Sequence, residues 1–225
     1  MAQEIERKYL VAGDQWLNLP VAAVKTITQG YLRAEAAVFI SCKDDVLSLR
    51  LEQNGKEIRI KKHLDGDEKN FANVTKMPNY DTQSGRFMLD DLTVFRFRTS
   101  EQDDGNRAFI TVKRFTGDPE INDEYEISIP FNEVSQALSS DFCEGFVSKR
   151  RHVVPFEGQN WEVDVFQGNL EGLVLAELEV VDKTVFETLK PLPGASEDVT
   201  TMEGISNRDL GQNGIPPVLK QRLGL

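Results

Sequence analysis

Cysteine and histidine are scarce in this chain, whose 225 residues include two of each. Cys42 and Cys143 cannot build a disulfide framework or a cysteine-rich metal site. His63 and His152 are too few to form a zinc centre. These counts exclude the disulfide-stapled proteins and the zinc proteins as classes.

Long apolar runs and net positive charge are also missing. No stretch approaches the roughly 18–20 apolar residues of a membrane-spanning helix, and the charged N-terminal residues lack the apolar segment of a secretory signal. With 26 Lys and Arg against 37 Asp and Glu, the formal net charge is -11. Because general binding to nucleic acid or to an anionic membrane needs diffuse positive charge, we expect neither partner. We expect a cytoplasmic protein, in which a local basic pocket is still allowed.

Alternation of apolar and polar residues with a period of two is abundant instead. Short alternating segments recur from residue 4 to residue 181, and turn residues such as those at 103–105 and 167–169 separate them. This pattern predicts an α+β protein that is mainly antiparallel β-sheet with few helices. Two short helices are expected, one capped by Asn132 and the other by Asp182.

A hairpin is predicted over residues 46–62, because two alternating segments flank Asn54-Gly55, a pair that favours a tight two-residue turn. A similar order of residues at 94–113 is interpreted as a second amphipathic hairpin rather than a duplication. The stretch 62–90 loses the pattern and is expected to be a polar, flexible connection. The stretch 191–217 is rich in Gly, Pro, Ser and Asn and is expected to be a covering loop before a short terminal helix.

The charged faces of the predicted strands carry the functional signal. Residues i and i+2 of a strand share a face, and charges of one sign recur at this spacing. The pairs are Glu4 and Glu6, Arg96 and Arg98, Glu124 and Glu126, Lys149 and Arg151, and Glu177 and Glu179. One such strand is only an ordinary wet face. Because like charges on one face repel, the segregation of charges by sign indicates a ligand.

These residue types suit a metal–polyphosphate complex. Arg and Lys donate charge-assisted hydrogen bonds to phosphate oxygens. Glu pairs cannot bind phosphate directly, but they are hard oxygen ligands for Mg²⁺ or Mn²⁺, which bind phosphate oxygens in turn. Closing the sheet into a barrel would bring acidic and basic strands around one cavity.

An ordered set of motifs resembles the CYTH family, also called the triphosphate tunnel metalloenzymes. The family's Glu-x-Glu-x-Lys motif is present from Glu4 to Lys8. Further matches follow in order at 29–32, 96–98, 111–113, 124–126, 149–151, 161–164 and 173–179. One Glu-x-Glu-x-Lys motif is a weak signal, but the ordered set is a strong one and covers nearly the whole chain except about residues 34–92. The chain is therefore predicted to be a single CYTH-like domain, 1–225, with an insertion at about 34–92.

The resemblance implies an eight-stranded closed antiparallel β-barrel, open as a tunnel, with a few flanking helices. It implies that Mg²⁺ or Mn²⁺ binds to Glu4, Glu6, Asp164, Glu177 and Glu179, with Glu124 and Glu126 lining the same cavity. It implies that phosphates bind to Lys8, Arg96, Arg98, Lys113, Lys149 and Arg151. The implied catalytic residues are Lys8, Glu179 and Tyr31, where Tyr31 either hydrogen-bonds near Lys8 or packs as a wall tyrosine. An alternative basic set for the tunnel is Arg50, Arg59 and Lys61.

Three functions follow as expectations. The first is metal-dependent hydrolysis of a small polyphosphate substrate, with inorganic triphosphate preferred over thiamine triphosphate and ATP. The second keeps the site but makes the chain a class IV adenylate cyclase, which forms cyclic AMP and pyrophosphate from ATP. Nothing in 34–92 indicates the purine pocket that a cyclase needs. The third is a non-catalytic polyphosphate-binding module. The oligomeric state stays open, with a homodimer as one alternative.

Overall fold

Short antiparallel strands make up most of the chain. The computed structural model describes residues 3–225. The strands are β1 Gln3–Val11, β2 Ala23–Leu32, β3 Ala37–Lys43, β4 Val46–Gln53, β5 Lys56–His63, β6 Tyr80–Asp81, β7 Arg86–Phe87, β8 Thr93–Gln102, β9 Gly105–Phe115, β10 Ile121–Ser128, β11 Cys143–Phe156, β12 Gln159–Phe166, β13 Val174–Val180 and β14 Ala195–Asp198. The α-helices are α1 Phe131–Leu138, α2 Asn207–Asn213 and α3 Pro217–Leu223. The predicted predominance of antiparallel β-structure is confirmed.

The larger of two sheets closes into a barrel. Its nine strands follow the order β10-β9-β8-β2-β11-β12-β13-β1-β14. The N-terminal part of β1 also pairs with β10, with Glu4 opposite Asn122, and this contact closes the ring. Strand β14 pairs with the C-terminal part of β1 outside the ring. The ring therefore has eight strands, and the predicted eight-stranded closed barrel is confirmed.

The barrel places charged side chains inside and apolar side chains outside. On β9, Lys113 faces the interior while Ile110 and Val112 face outward and are fully buried. This follows from the period of two, because successive side chains on a strand point to opposite sides of the sheet. An outer wall of this kind must be covered by other parts of the chain, since exposed apolar surface is unfavourable.

A second antiparallel sheet covers one side of the barrel, in the order β5-β4-β3-β7-β6. Its hairpin turns at the predicted position, where Asn54 and Gly55 both have positive φ, 51° and 74°. The apolar face of this sheet, including Leu51 and Ile60, packs with Phe97 of the barrel in one core cluster. The insertion is therefore a packed layer over the barrel wall.

The connection at 62–90 differs from the prediction of a polar, flexible segment. Gly66–Lys76 forms a 3₁₀ helix whose Phe71 and Val74 are buried, and β6 and β7 follow it. Two apolar residues in an otherwise polar stretch suffice to seat the helix on the core. The stretch 191–217 also contains more structure than the predicted loop, namely β14 and α2.

The helix caps were predicted with mixed success. Helix α1 begins after Pro130, so Asn132 lies inside the helix and does not cap it. Asp182 does cap, since its carboxylate accepts a hydrogen bond from the Thr184 amide at 2.8 Å, but the capped segment is a 3₁₀ helix, Lys183–Glu187. No helix within residues 3–225 has the length and apolar character to cross a membrane. The cytoplasmic location and the oligomeric state stay predictions.

Candidate active site

The barrel interior is a charged cavity with two adjoining parts. The first part has a volume of about 330 Å³ and opens at the end of the barrel lined by Lys25, Gln102 and Arg107, here called the polar mouth. The second part has a volume of about 390 Å³ and opens at the other end, lined by Val94, Phe115 and Met202, here called the apolar mouth. The residues that line both parts, here called the waist, are Glu6, Lys8, Arg96, Lys113 and Asn207.

Most of the predicted site residues lie together on this cavity. The first part is lined by Glu4, Glu6, Lys8, Arg96, Arg98, Lys113, Glu124, Glu126, Lys149, Arg151, Glu177 and Glu179. Tyr31 lines the second part. The alternative basic residues Arg50, Arg59 and Lys61 lie instead along a groove on the outer face of the second sheet. The insertion thus places no member of that basic set in the tunnel.

A chain of ion pairs runs through the waist. Lys113 Nζ contacts the Glu4 carboxylate and lies 3.0 Å from Glu6 Oε1. Lys8 Nζ lies 2.9 Å from Glu6 Oε2 and 2.8 Å from Glu177 Oε1. Burial alone would lower the pKa of Lys8, but the carboxylates of Glu177 and Glu6 outweigh it and raise that pKa. Both lysines therefore stay charged, and each bridges two carboxylates.

Asp164 lies behind the cavity wall rather than on it. Its side chain is fully buried, and its carboxylate accepts hydrogen bonds from Arg151 Nε at 2.7 Å and Arg151 Nη2 at 2.6 Å. The carboxylate also contacts Lys149 Nζ. Because cations contact both oxygens of Asp164, its geometry does not fit the predicted role of this residue as a metal ligand. Asp164 instead fixes the positions of Lys149 and Arg151.

Two arginines on β8 are held from one side only. Glu126 accepts hydrogen bonds from Arg98 Nη2 at 2.7 Å and from Thr111 Oγ1 at 2.8 Å. Arg96 Nη2 donates to Thr111 Oγ1 at 3.0 Å. The Nε atoms of Arg96 and Arg98 are buried and have no hydrogen-bond partner within residues 3–225. A buried donor without a partner is costly, so both guanidinium groups have capacity for an anionic ligand.

Tyr31 is a neutral donor on the wall of the second part. Its hydroxyl accepts a hydrogen bond from Gln29 Nε2 at 2.6 Å. Burial raises the pKa of Tyr31 to about 12. The phenol therefore keeps its proton at neutral pH and cannot serve as a base there. Of the two predicted roles for Tyr31, the contact with Gln29 favours a wall tyrosine over a hydrogen-bonding group near Lys8.

Three carboxyl groups near the polar mouth have a raised pKa or an oxygen without a hydrogen-bond partner. Burial and the charge of Glu6 raise the pKa of Glu4 to about 7. Burial and the charge of Glu124 raise the pKa of Glu179. Glu124 Oε2 is buried and has no hydrogen-bond partner in the described part of the chain. No ready cluster of three metal-ligating side chains exists among residues 3–225. Even so, Glu4, Glu6, Glu124 and Glu179 fit a divalent cation, because carboxylate oxygens are preferred by Mg²⁺ and Mn²⁺.

The sequence assigns some cavity residues no role in the site, although Gln29 and Thr111 lie inside the motif matches at 29–32 and 111–113. The cavity residues without a predicted role are Lys25, Gln29, Arg107, Thr111 and Asn207. Lys25, Gln29 and Tyr31 share the inward face of β2, so extending the period-two pattern from Tyr31 would have identified the first two. Asn207 comes from α2 and has no signal of this kind. It reaches the cavity by a contact of 3.3 Å between its Oδ1 and Lys149 Nζ.

An eight-stranded barrel whose interior pairs carboxylates with lysines and arginines defines a class of protein that encloses a small, highly charged anion. No family model matches the chain. It is 34% identical over 130 residues to an inorganic triphosphatase of Acetivibrio thermocellus, and the match covers 57% of this chain and 77% of that protein. The chain belongs to the CYTH family of triphosphate tunnel proteins.

A solved structure at 25% sequence identity has the same fold. The crystal structure of the inorganic triphosphatase NE1496 has a TM-score of 0.50 and 25% sequence identity, over 96% of this chain and 98% of that chain. The PH1819 protein from Pyrococcus horikoshii OT3 has a TM-score of 0.45 and 17% identity, over 98% of each chain.

Proposed function

We propose that this chain hydrolyses inorganic triphosphate inside its barrel. The observation that carries the proposal is the set of buried cations that carboxylates hold around one cavity, Lys8, Arg96, Arg98, Lys113, Lys149 and Arg151. A short anion that carries several negative charges can take the place of those carboxylates beside the lysines and arginines, one carboxylate at a time. The names of two relatives as inorganic triphosphatases support the choice of substrate.

The cations of the waist would bind and orient the phosphates. Lys8 and Lys113 each bridge two carboxylates and would turn toward phosphate oxygens, while Arg96 and Arg98 offer their unpartnered Nε donors. Hydrolysis breaks one phosphoanhydride bond and moves negative charge onto the leaving phosphate. Fixed positive charges placed beforehand around those oxygens stabilise that change.

A divalent cation and a proton acceptor complete the proposed site. Mg²⁺ or Mn²⁺ would be held by Glu4, Glu6 and Glu124 and would supply positive charge to the phosphates as a Lewis acid. The attacking water loses a proton to Glu179, which is partly exposed at the polar mouth and whose pKa is raised by its partial burial and by the charge of Glu124. A carboxylate with a raised pKa is a better base near neutral pH than an ordinary one. Cations contact both oxygens of Glu6, of Glu177 and of Asp164. Glu6 becomes available to the metal when Lys8 and Lys113 turn toward phosphate, whereas Arg151 still holds Glu177 and Asp164, so these two have less support as metal ligands.

The test is the initial rate of phosphate release from tripolyphosphate with Mg²⁺ or Mn²⁺ and with a chelator. Glu179→Gln should lower kcat by about 100-fold or more, the usual contribution of a general base. Glu171→Gln, at an exposed position, is the matched control and should keep the wild-type rate. Folding of each variant is checked by circular dichroism.

Three outcomes would contradict the proposal. Release of cyclic AMP from ATP, without phosphate release from tripolyphosphate, would make the chain a cyclase. Faster release from thiamine triphosphate or ATP than from tripolyphosphate would change the substrate. Tight binding of tripolyphosphate without turnover under either metal would make the chain a binding module.

A further inference from the structure

We infer that the polar mouth is an outer phosphate subsite in which Lys25 and Arg107 bind the fourth phosphoryl group of inorganic tetraphosphate and of longer polyphosphates. The inference rests on the proposed function, because it extends the anion that the inner cations would hold. It concerns residues for which the motifs of the chain assign no role.

Lys25 differs from the other cations of the cavity. It lies on the inward face of β2, opposite Arg151 on β11, and is half-buried. The other lysines and arginines that line this part of the cavity each lie within 4.0 Å of a carboxylate, as Arg151 does with Glu177. Lys25 has no such ion pair within residues 3–225. Its ammonium group is therefore available to a ligand without first leaving a carboxylate.

Arg107 lines the same part of the cavity from another wall. It is opposite Ser100 on β8, whereas Phe109, two residues farther in, is opposite Arg98. Two residues of a strand span about 6.6 Å, so Arg107 stands one such step outside the inner arginine. Its guanidinium donates to Asp104 Oδ2 at 2.7 Å, in a pair whose side chains are 57% and 64% exposed. Exposed pairs of this kind are weak, so Arg107 can turn to a phosphate at little cost.

The two mouths differ in what they offer an anion. The polar mouth adds Ser100 and Gln102 as neutral hydrogen-bonding groups beside its two cations. Glu162 and Glu179 also line this part of the cavity, and both lie with Lys25 along a groove at its rim. The apolar mouth presents Val94, Phe115 and Met202, and its charged residues within 3–225 are the single cation Arg208 and the three acidic residues Asp91, Glu203 and Asp209. A chain longer than triphosphate should therefore extend toward the polar mouth.

The test is a comparison of binding constants, measured by isothermal titration calorimetry without divalent cations. Wild-type protein should bind tetraphosphate more tightly than triphosphate. Lys25→Gln and Arg107→Gln should each raise the Kd for tetraphosphate by about tenfold, which corresponds to one charge-assisted hydrogen bond. The Kd for triphosphate should change by less than about twofold, because it is held by the inner cations. Lys25→Arg should keep the preference, and Lys43→Gln, at an exposed lysine of β3, is the control.

Equal weakening of both anions by Lys25→Gln, or a wild-type protein that binds tetraphosphate no more tightly than triphosphate, would overturn the inference. The binding constants do not depend on turnover. A protein that shows the expected Kd pattern but releases no phosphate from tripolyphosphate would contradict the proposed function and leave the outer subsite standing.

Discussion

Charge crowding inside the barrel gives neighbouring residues opposite properties. Glu4 and Glu6 lie two residues apart on one strand face. Burial and the charge of Glu6 raise the pKa of Glu4 to about 7. Burial would also raise the pKa of Glu6, but the charges of Lys8 and Lys113 outweigh it and lower that pKa to about 2. At neutral pH the first carboxyl is thus partly protonated while the second is ionised.

This difference predicts how stability depends on pH in the ligand-free protein. The folded-state pKa of Glu4 is about 7 against an ordinary value of 4.5. The protonated Glu4 carboxyl therefore contributes its full stabilisation of the folded state below pH 4.5. This contribution is lost as the pH rises through 7 and the carboxyl ionises. The shift corresponds to about 3 kcal/mol. Glu4→Gln should remove this part of the pH dependence, as measured by urea unfolding between about pH 5 and about pH 8 with a chelator present.

Glu171→Gln is the control, because the exposed Glu171 should leave the wild-type slope unchanged. Parallel pH profiles for wild type and Glu4→Gln would show that Glu4 titrates normally in the folded protein.

The sequence predicts which side of a strand a residue occupies better than it predicts the contacts of that residue. Glu4, Arg96 and Glu179 were assigned to one cavity because a period of two fixes their face. Asp164 also follows that rule, yet Lys149 and Arg151 enclose it, and their approach depends on the register of three strands. The charge pattern does not indicate Lys25, because no residue of like charge lies two positions away from it.

At the scale of elements, a single backbone contact sets the position of α2. A Cβ atom on Gly211 would lie 2.0 Å from the carbonyl oxygen of Gly145, at the irregular part of β11. The helix begins after Ser206, whose Oγ accepts a hydrogen bond from the Asp209 amide at 3.1 Å. Asn207, the first residue of the helix, contacts Lys149. The close approach of glycine to backbone thus determines where α2 meets the cavity.

Gly211→Ala should therefore destabilise the protein, although alanine in an open helix is favoured over glycine by about 1 kcal/mol. The added methyl group must displace backbone, and overpacking of this kind costs about 1–3 kcal/mol. Urea unfolding measures the loss. Gln212→Ala, at the next and exposed position of α2, should be nearly neutral. A Gly211→Ala protein as stable as wild type would mean that α2 does not rest on β11.

Elements with a local signal were predictable, and elements set by packing were not. Asn54 and Gly55 specify their hairpin through their own positive φ values. The 3₁₀ helix Gly66–Lys76 instead depends on Phe71 and Val74 finding the core, and a four-residue strand such as β14 is too short to show a period. Contacts between distant segments, rather than local preference, decide such cases.

At the scale of the molecule, the barrel has charged side chains inside, so its outer wall is apolar and must be covered by other parts of the chain. Phe97 and Ile110 of the barrel wall share one core cluster with Leu51 and Ile60 of the second sheet. The only two tryptophans of the chain, Trp16 and Trp161, lie in a different cluster that includes Tyr9. Removing the second sheet would expose the barrel wall to water. We therefore expect the barrel and the second sheet to unfold together.

Leu51→Ala tests this expectation, because Leu51 is fully buried in the second sheet while the tryptophans report on the barrel. A core substitution of this kind costs about 2–5 kcal/mol. In a cooperative unit, that loss should lower the urea midpoint seen by tryptophan fluorescence. Val46→Ala, at an exposed position of the same sheet, should leave the midpoint nearly unchanged. An unaltered fluorescence midpoint in Leu51→Ala, with an earlier loss of β-structure by circular dichroism, would show two independent units and would contradict the predicted single domain.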